Sequence, residues 1–565
     1  MNQGKHAAMG NFKRLTHIAL MAVCMGFMSL ASAAEQPDLI LINGKIVTVD
    51  DRFSIAQAVA VKGSRIVAVG RNEDIRKHAG SSTRVVDLRG RTVIPGLIDN
   101  HAHFVRVAEK WHSEMRLDGV TSRAQAVKMI QDRVRAARPG EWIATLGGWS
   151  EEQFTDDPRG FPLAELDQLA PNNPLVLQAI YRHTYLNTAA LKSAQIDEKT
   201  PDPRGGRIEK DASGKPTGLV TGAGGVAFVA SKVPLAEKQQ WMQNARSVVA
   251  FLNSVGMTAW MDAGGRGMSE AHYEPYRQLA EGGELNIRIY WQTVRQPGTP
   301  QEVDKVLAEI PSMRPFQGTD YFDNVGYGES VYAPISTQLL NPKVNIRLED
   351  MAQWGRITRA LAQHGLYVNA HVEMESAIDA FLTLYEQINK DKPIKGLRWA
   401  FSHIDQVTVS QIERMKRLGM SAQIHTRPLI QGVLMHRVHG ERAWTMPPMR
   451  LVQDSAIMWG LGSDATAVTT SNPFYNLWFA VTGKMIGGHV VNRQTITREE
   501  ALIAHTRNNA YIVFQESNLG SLQPGKYADL VVLDRDYLTV PADQIRDIRP
   551  VLTMVGGRIV YDAQK

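Results

Sequence analysis

Between Thr92 and Gly462 the chain alternates short strand-like runs with amphipathic helical runs. That alternation restricts it to a parallel sheet whose strands are joined by crossover helices. Eight strand candidates can be placed: Thr92–Ile98, Met257–Asp262, Asn286–Thr293, Asp323–Gly328, Leu366–Ala370, Leu397–Ser402, Met420–Ile424 and Ile457–Gly462. Helical runs such as Ser376–Asn389 and Val409–Leu418 lie between them. Eight is the number that closes a (β/α)8 barrel, so the predicted fold class is α/β with a TIM-like barrel over residues 92–515.

The two ends of the chain read differently. Asp38–Val49 places Asn43-Gly44 between two β-rich runs, and Ala58–Val69 places Gly63-Ser64 in the same position, both hairpin signals. Near the other end, Ala528–Leu533 and Val551–Tyr561, the latter turning at Gly556-Gly557, are again short strands. Hairpins this small do not stand alone. Residues 34–91 and 516–565 are therefore expected to build one small composite β-sandwich. Residues 104–255 follow the first barrel strand and hold both helical runs (Ala124–Ala137, Ala236–Leu252) and strand-like ones (Trp142–Gly147, Leu175–Tyr181). They read as a large folded insertion on the face where barrels carry their sites, and so as a source of substrate contacts.

At the N-terminus Lys5, Lys13 and Arg14 precede an apolar run, Ile18–Leu30, which ends in Ala31-Ser32-Ala33. A basic start, a short apolar core and a small-x-small end form a cleaved export signal over residues 1–33. The run is shorter than the roughly 20 residues a bilayer span needs, so no stable membrane insertion is expected after cleavage. The expected location is periplasmic or secreted. Cys24 is the single cysteine and falls in this segment, so the mature chain has no disulfide and depends on burial for stability. Cleavage removes three basic residues and no acid, taking the formal charge from +6 to +3. With basic residues spread through the chain and no basic run, a nucleic-acid partner is excluded in favour of a small-molecule substrate.

The metal-capable residues collect at strand ends. His101 and His103 follow the first strand, His371 ends LYVNAH, His403 ends LRWAFSH and Asp464 ends IMWGLGSD. Each alone has a plainer reading, as a packed histidine or a capping acid. In a barrel, however, all such ends open on one face, and residues more than 350 positions apart meet there. Imidazoles with one carboxylate suit a divalent metal, Zn2+ first, as one ion or two. Such a metal lowers the pKa of bound water to about 7 and polarises a carbonyl. Asp464 beside it can accept a proton and return it to a leaving group, so the predicted reaction is hydrolysis, with Asp464 and His403 as catalytic residues. His425, at the end of the seventh strand with Arg427 close by, and Trp149 and His183 in the insertion are candidate substrate contacts, the aromatic ones suiting an apolar or aryl group. Thr497–Glu500 reads as a helix capping box and His505 as a packing residue.

The stretch VIPGLIDNHAH (Val93–His103), the later His371, His403 and Gly462-Ser463-Asp464, and PGKYADL (Pro524–Leu530) together resemble the amidohydrolase superfamily. Within it the insertion is similar to the branch of the N-substituted formamide deformylases, through Gly148-Trp149, Arg182–Asn187, Gly205–Ile208 and Pro216–Gly218. The resemblance spans the mature chain. It implies a metal-dependent barrel hydrolase in which His101, His103 and Asp464 hold one metal, while His371 and His403 hold a second or help bind the first. The chain departs from the pattern at one place. Many relatives carry a bridging carboxylated lysine on the fourth strand, whereas Asp323–Val331 reads DNVGYGESV, with Glu329 the nearest carboxylate to stand in for it.

The expected activity is an exported amidohydrolase acting on a non-peptide C–N bond: N-acyl, N-formyl or cyclic amide. Two alternatives stay open at this stage. One is lactone or ester hydrolysis at the same site. The other is a family member that binds a ligand or regulates without catalysis.

Overall fold

The structure is a computed structural model that describes residues 36–265, 267–335, 337–341 and 346–564, so the export signal read over residues 1–33 lies outside the described residues. The fold is mixed α/β. Its centre is a set of parallel strands, numbered here in chain order: β1 (Leu97–Ala102), β2 (Met257–Asp262), β3 (Arg288–Thr293), β4 (Phe322–Tyr327), β5 (Asn369–Val372), β6 (Ala400–His403), β7 (Ser421–His425) and β8 (Trp459–Gly462). β1 to β4 form one parallel sheet in chain order and β5 to β8 a second. The sheets meet at two edges. Tyr327 at the end of β4 bridges in parallel to Val368 just before β5. At the other edge Asp464, beyond β8, donates its N–H to the His101 carbonyl of β1, 2.9 Å away, and His103 donates to the Ala465 carbonyl, 2.8 Å away.

The sequence dictates this arrangement locally. β1, β2, β6, β7 and β8 are buried along their whole length, as strands covered on both faces must be, and they are apolar enough to accept it. The covering helices show the matching period. Glu375–Asp391 buries Ala377, Ile378, Phe381, Leu382, Tyr385 and Ile388, one face of a 3.6-residue repeat. Val409–Arg417 starts at a capping box in which the Thr408 hydroxyl accepts from the Gln411 N–H, and Thr497 and Glu500 form the same device on Arg498–His505.

Strands from both ends of the chain share a six-stranded sheet: Arg558–Asp562, Pro550–Val555, Leu530–Leu533, Thr92–Pro95, Lys45–Val47 and Ile55–Ala56, in that order. A four-stranded sheet of Arg65–Gly70, Ala58–Lys62, Leu39–Ile42 and Arg84–Asp87 packs with it through one apolar cluster that includes Leu41, Val59, Val93, Leu530 and Val532. Residues 104–255 hold a separate five-stranded sheet built from Ile143–Leu146, Leu175–Ala179, His183–Leu186, Arg207–Lys210 and Pro216–Thr221.

Two local expectations are corrected. The run Thr92–Ile98 is two strands, because Thr92–Pro95 pairs with Leu530–Leu533 while Leu97–Ala102 pairs with β2. The break falls at Gly96, where a Cβ would stand 2.1 Å from the Thr258 hydroxyl, an approach only glycine permits. Asn43-Gly44 does not close a hairpin either. Leu39–Ile42 pairs with Ala58–Lys62 and Arg84–Asp87, so the turn passes the chain from one sheet to the other. Asn43 adopts a left-handed φ of 55°, and its N–H is held by the Asn72 carboxamide oxygen.

Candidate metal centre

Glu329 stands at the middle of the cluster, two residues beyond β4. Its carbonyl accepts the His371 N–H of β5, at 3.3 Å, so the backbone itself fixes the carboxylate between the two sheets. Glu329 Oε2 lies 3.3 Å from His101 Nε2, 3.0 Å from His371 Nδ1 and 3.7 Å from His403 Nε2, and Oε1 lies 3.7 Å from His103 Nε2. Asp464 closes the other side, its Oδ1 3.2 Å from His103 Nε2 and 3.8 Å from His101 Nε2. Two overlapping triads can hold a cation, His101 with His103 and Glu329, and Glu329 with His371 and His403.

The hydrogen bonds behind these side chains select which nitrogen faces inward. His103 Nδ1 is 2.7 Å from the Gly264 carbonyl, which can only accept, so Nε2 carries the lone pair. The Ser402 hydroxyl is 2.6 Å from Asn369 Oδ1 and 3.0 Å from Gln423 Oε1, both acceptors. Its proton is thus committed, and it must accept from His101 Nδ1 at 3.1 Å. His101 Nε2 is left with a lone pair aimed at Glu329. His101 Nε2 and His403 Nε2 are both buried with no hydrogen-bond partner among the described residues. Buried, unpartnered imidazole nitrogens beside shared carboxylates are what a metal ion satisfies, and donors 3.0–3.8 Å apart match the roughly 3.3 Å between ligands of a tetrahedral ion bound at about 2.0–2.1 Å.

The electrostatics agree with that fit. Burial pushes the His371 imidazole down, but Glu373 and Glu329 outweigh it and raise its pKa to about 10. His103 is raised as well, burial again opposing, by Asp464 and Glu329. Glu329 is buried, which alone would raise it, yet His101 and its other imidazole neighbours hold it well below the carboxylate range. The carboxylates thus demand positive charge at these nitrogens, and a divalent cation supplies it in place of two protons. His403 and His425 are driven well down by burial and by the Arg427 and imidazole charges around them. His403 (φ 78°) and Asp464 (φ 64°) both sit in the left-handed region, backbone strain of the kind that collects at functional sites. Asp99 ties the ends of β1 and β8 together by accepting from the His101 and Ser463 N–H groups and from the Ser463 hydroxyl.

The structure brings His101, His103, Glu329, His371, His403 and Asp464 together. Of the three expected substrate contacts, His425 lies inside this cluster, while Trp149 and His183 pack within the insertion. His425 is 1% exposed and lies among the metal-facing rings, its Nδ1 2.7 Å from His403 Nδ1, its ring 4.4 Å from that of His101 and its Nε2 buried with no hydrogen-bond partner among the described residues. Trp149 is fully buried in the insertion, packed on Phe154 and Phe161, with its N–H on the Thr145 hydroxyl. His183 is held by Glu151 at 2.6 Å within the same unit. Conversely, neither Glu373 nor Asp405 was a candidate site residue. Each lies two residues past a candidate ligand, His371 and His403, and each holds one arm of Arg427, at 2.7 and 2.8 Å. Burial raises Asp405 to about 6 against the opposing pull of Arg427, and Arg427 Nε is 3.7 Å from Asp464 Oδ2.

Comparison with known proteins gives a consistent picture. The model of the amidohydrolase family matches residues 84–561. The chain is 28% identical over 551 residues to the N-substituted formamide deformylase of Arthrobacter pascens, covering 94% of this chain and 99% of the relative. It is 26% identical over 550 residues to the protein LONG AFTER FAR-RED 3 of Arabidopsis thaliana, covering 93% and 91%. Among solved structures, an uncharacterized metal-dependent hydrolase from Pyrococcus horikoshii superposes with a TM-score of 0.64 at 19% identity, covering 89% of this chain and 99% of that one, a likeness of fold.

Proposed function

The chain belongs to the amidohydrolase family, metal-dependent hydrolases of C–N bonds, and from that premise we propose that it hydrolyses a non-peptide amide, N-acyl, N-formyl or cyclic, with Asp464 as general base. The observation that carries this reading is Glu329, whose single oxygen Oε2 is within 3.7 Å of nitrogens from His101, His371 and His403 while Asp464 faces His103. When bound there, a divalent cation, Zn2+ from the imidazole and carboxylate donors, would polarise the amide carbonyl and ease the release of a proton from water. Glu329 belongs to both triads, which supports one ion or two, with Glu329 in the place of the bridging lysine of many relatives.

Asp464 takes the proton of the attacking water at its carboxylate and delivers it to the leaving nitrogen. Arg427, anchored on two arms by Glu373 and Asp405, points its Nε at Asp464 Oδ2 and orients that carboxylate. His403 contributes from β6, its ring turned by His425. The amide reading is favoured over lactone or ester hydrolysis by the deformylase likeness over 94% of the chain.

The architecture we read around the site is a closed eight-stranded barrel over residues 92–515, with residues 104–255 inserted and residues 34–91 and 516–565 as a composite β-sandwich. The edge joins at Tyr327–Val368 and His101–Asp464 support closure. The chain is exported and cleaved after Ala33, so the mass of the mature protein from the native host should correspond to a start at Ala34, and retention of Met1 would refute export by this signal.

The function is tested by screening the metal-loaded protein against N-formyl amines, N-acyl amino acids, cyclic amides and lactones. Turnover of at least one amide class is expected, and D464N should lower kcat by roughly 10²- to 10⁴-fold while the melting temperature stays near that of the parent. Full activity in D464N would remove Asp464 as the base.

A further inference from the structure

Among the described residues the buried arginines each hold carboxylate charge: Arg123 with Glu165, Arg288 with Asp529, and Arg427 with Glu373 and Asp405. Arg106 does not. It lies three residues past His103, on the short helix Phe104–Val107 that leaves the metal centre, and it is more than half shielded from solvent. Among the described residues no carboxylate comes within 4.0 Å of its guanidinium. Its one side-chain hydrogen bond is to the Tyr181 hydroxyl. It is nonetheless close enough to His103 and Asp464 for their charges to act on one another.

Tyr181 comes from the insertion, and its placement is unusual. It follows Ile180, a β-branched residue at φ 45°, and the ring is 42% exposed, one of the few large aromatics left facing solvent. Because the Tyr181 oxygen accepts from Arg106, its own proton remains available to a second acceptor. A partly shielded guanidinium with no carboxylate in direct contact and a free phenol O–H beside the metal-facing His103 form a fork for an anionic group.

Resting on the amide-hydrolase reading above, we propose that the substrate carries a carboxylate and that Arg106, with Tyr181, binds it. The substrate class is then an N-acylated amino acid or a comparable acidic amide. The carboxylate supplies the direct ion-pair partner that Arg106, on which Asp262 and Asp464 act only from beyond 4.0 Å, lacks among the described residues, and Arg106 is a specificity residue that leaves the chemistry to the metal centre. An uncharged amide would leave the partly shielded guanidinium without a direct ion-pair partner and so gains less on binding.

The test uses the metal-loaded full chain and two substrates that differ by one group, N-formylphenylalanine and N-formylphenethylamine. The parent is expected to favour the acid by at least ~10-fold in kcat/KM, with R106Q collapsing that ratio roughly 10- to 100-fold, R106K keeping most of it and Y181F lowering it a few-fold. Calorimetric binding of 3-phenylpropionate against 3-phenylpropionamide, to the parent and to R106Q, separates this inference from the reaction itself. If neither amide is hydrolysed, the proposed reaction fails, but an acid-over-amide binding preference that R106Q abolishes still upholds the Arg106 site. No preference for the acid in the parent, or the same preference in R106Q, overturns it.

Discussion

His505 shows how far burial can set the chemistry of one side chain. It closes the helix Arg498–His505 with no exposed surface, and among the described residues its ring nitrogens complete no hydrogen bond, only the Ile98 carbonyl and its own drawing on the ring. Burial holds the imidazole neutral and pushes its pKa down to about 4. An unfolded histidine titrates near 6.5. As pH falls from about 6.5 towards 4, the unfolded chain takes up a proton that the folded chain refuses, so the folded state loses up to about 3 kcal/mol across that window. Chemical denaturation at pH 7 and pH 5 should show about 2 kcal/mol of this loss in the parent and a smaller one in H505L. Equal losses in the two proteins would mean that other groups control acid stability. The same residue-scale logic separates His505 from His101 and His403, whose orphaned nitrogens face carboxylates instead of aliphatic packing.

At the scale of elements, the segment after β2 controls how closely the metal centre is enclosed. Gly264 accepts from His103 Nδ1, and Gly265 follows at φ 108°, a conformation that side chains rarely adopt. A Cβ on Gly265 would stand 3.1 Å from His103 Cε1 and 3.4 Å from Glu329 Oε1. G265A should therefore cost about 1–3 kcal/mol in strain and displace the His103 ring. The expected outcome is a folded protein with a lowered melting temperature and weaker metal affinity by titration with a chelator. Unchanged affinity would show that the ring has room to yield. Position along a strand made His101, His103, His371, His403 and Asp464 legible in the sequence, because a strand end has a direction that local pattern reveals. Glu373 and Asp405 escaped because nothing in the sequence shows that Arg427, at the start of the helix after β7, would reach both.

For the whole molecule, the decisive join is between the terminal sheet and the parallel strands. Arg288 of β3 is completely buried and makes two hydrogen bonds to Asp529, just before Leu530–Leu533, at 2.8 and 3.0 Å. Asp529 also accepts from the Gly556 N–H. Removing one partner leaves a buried charge uncompensated, so D529N should destabilise the fold by about 3–5 kcal/mol in urea unfolding. The double variant R288M/D529L removes both charges and should recover part of that loss. If D529N unfolds at the parent midpoint, the join is not what holds the sheets together. Thr92–Pro95 runs directly into β1, so loosening the terminal sheet should also disturb His101 and His103.

The sequence by itself determined the alternation of strands and helices, the strand ends that carry imidazoles and carboxylates, and the caps that start the helices. These follow from side-chain period and from hydrogen bonds between residues close in the chain. Only the tertiary structure decided that Leu39–Ile42 and Lys45–Val47 enter different sheets, that Gly96 divides one apolar run into two strands, that Trp149 is packed within the insertion and that His425 sits against His403. It also decided that Arg106 is left with a phenol as its partner. Which edge a strand pairs with, and which charge a buried guanidinium meets, depends on surfaces brought together over hundreds of residues, and no local pattern records that.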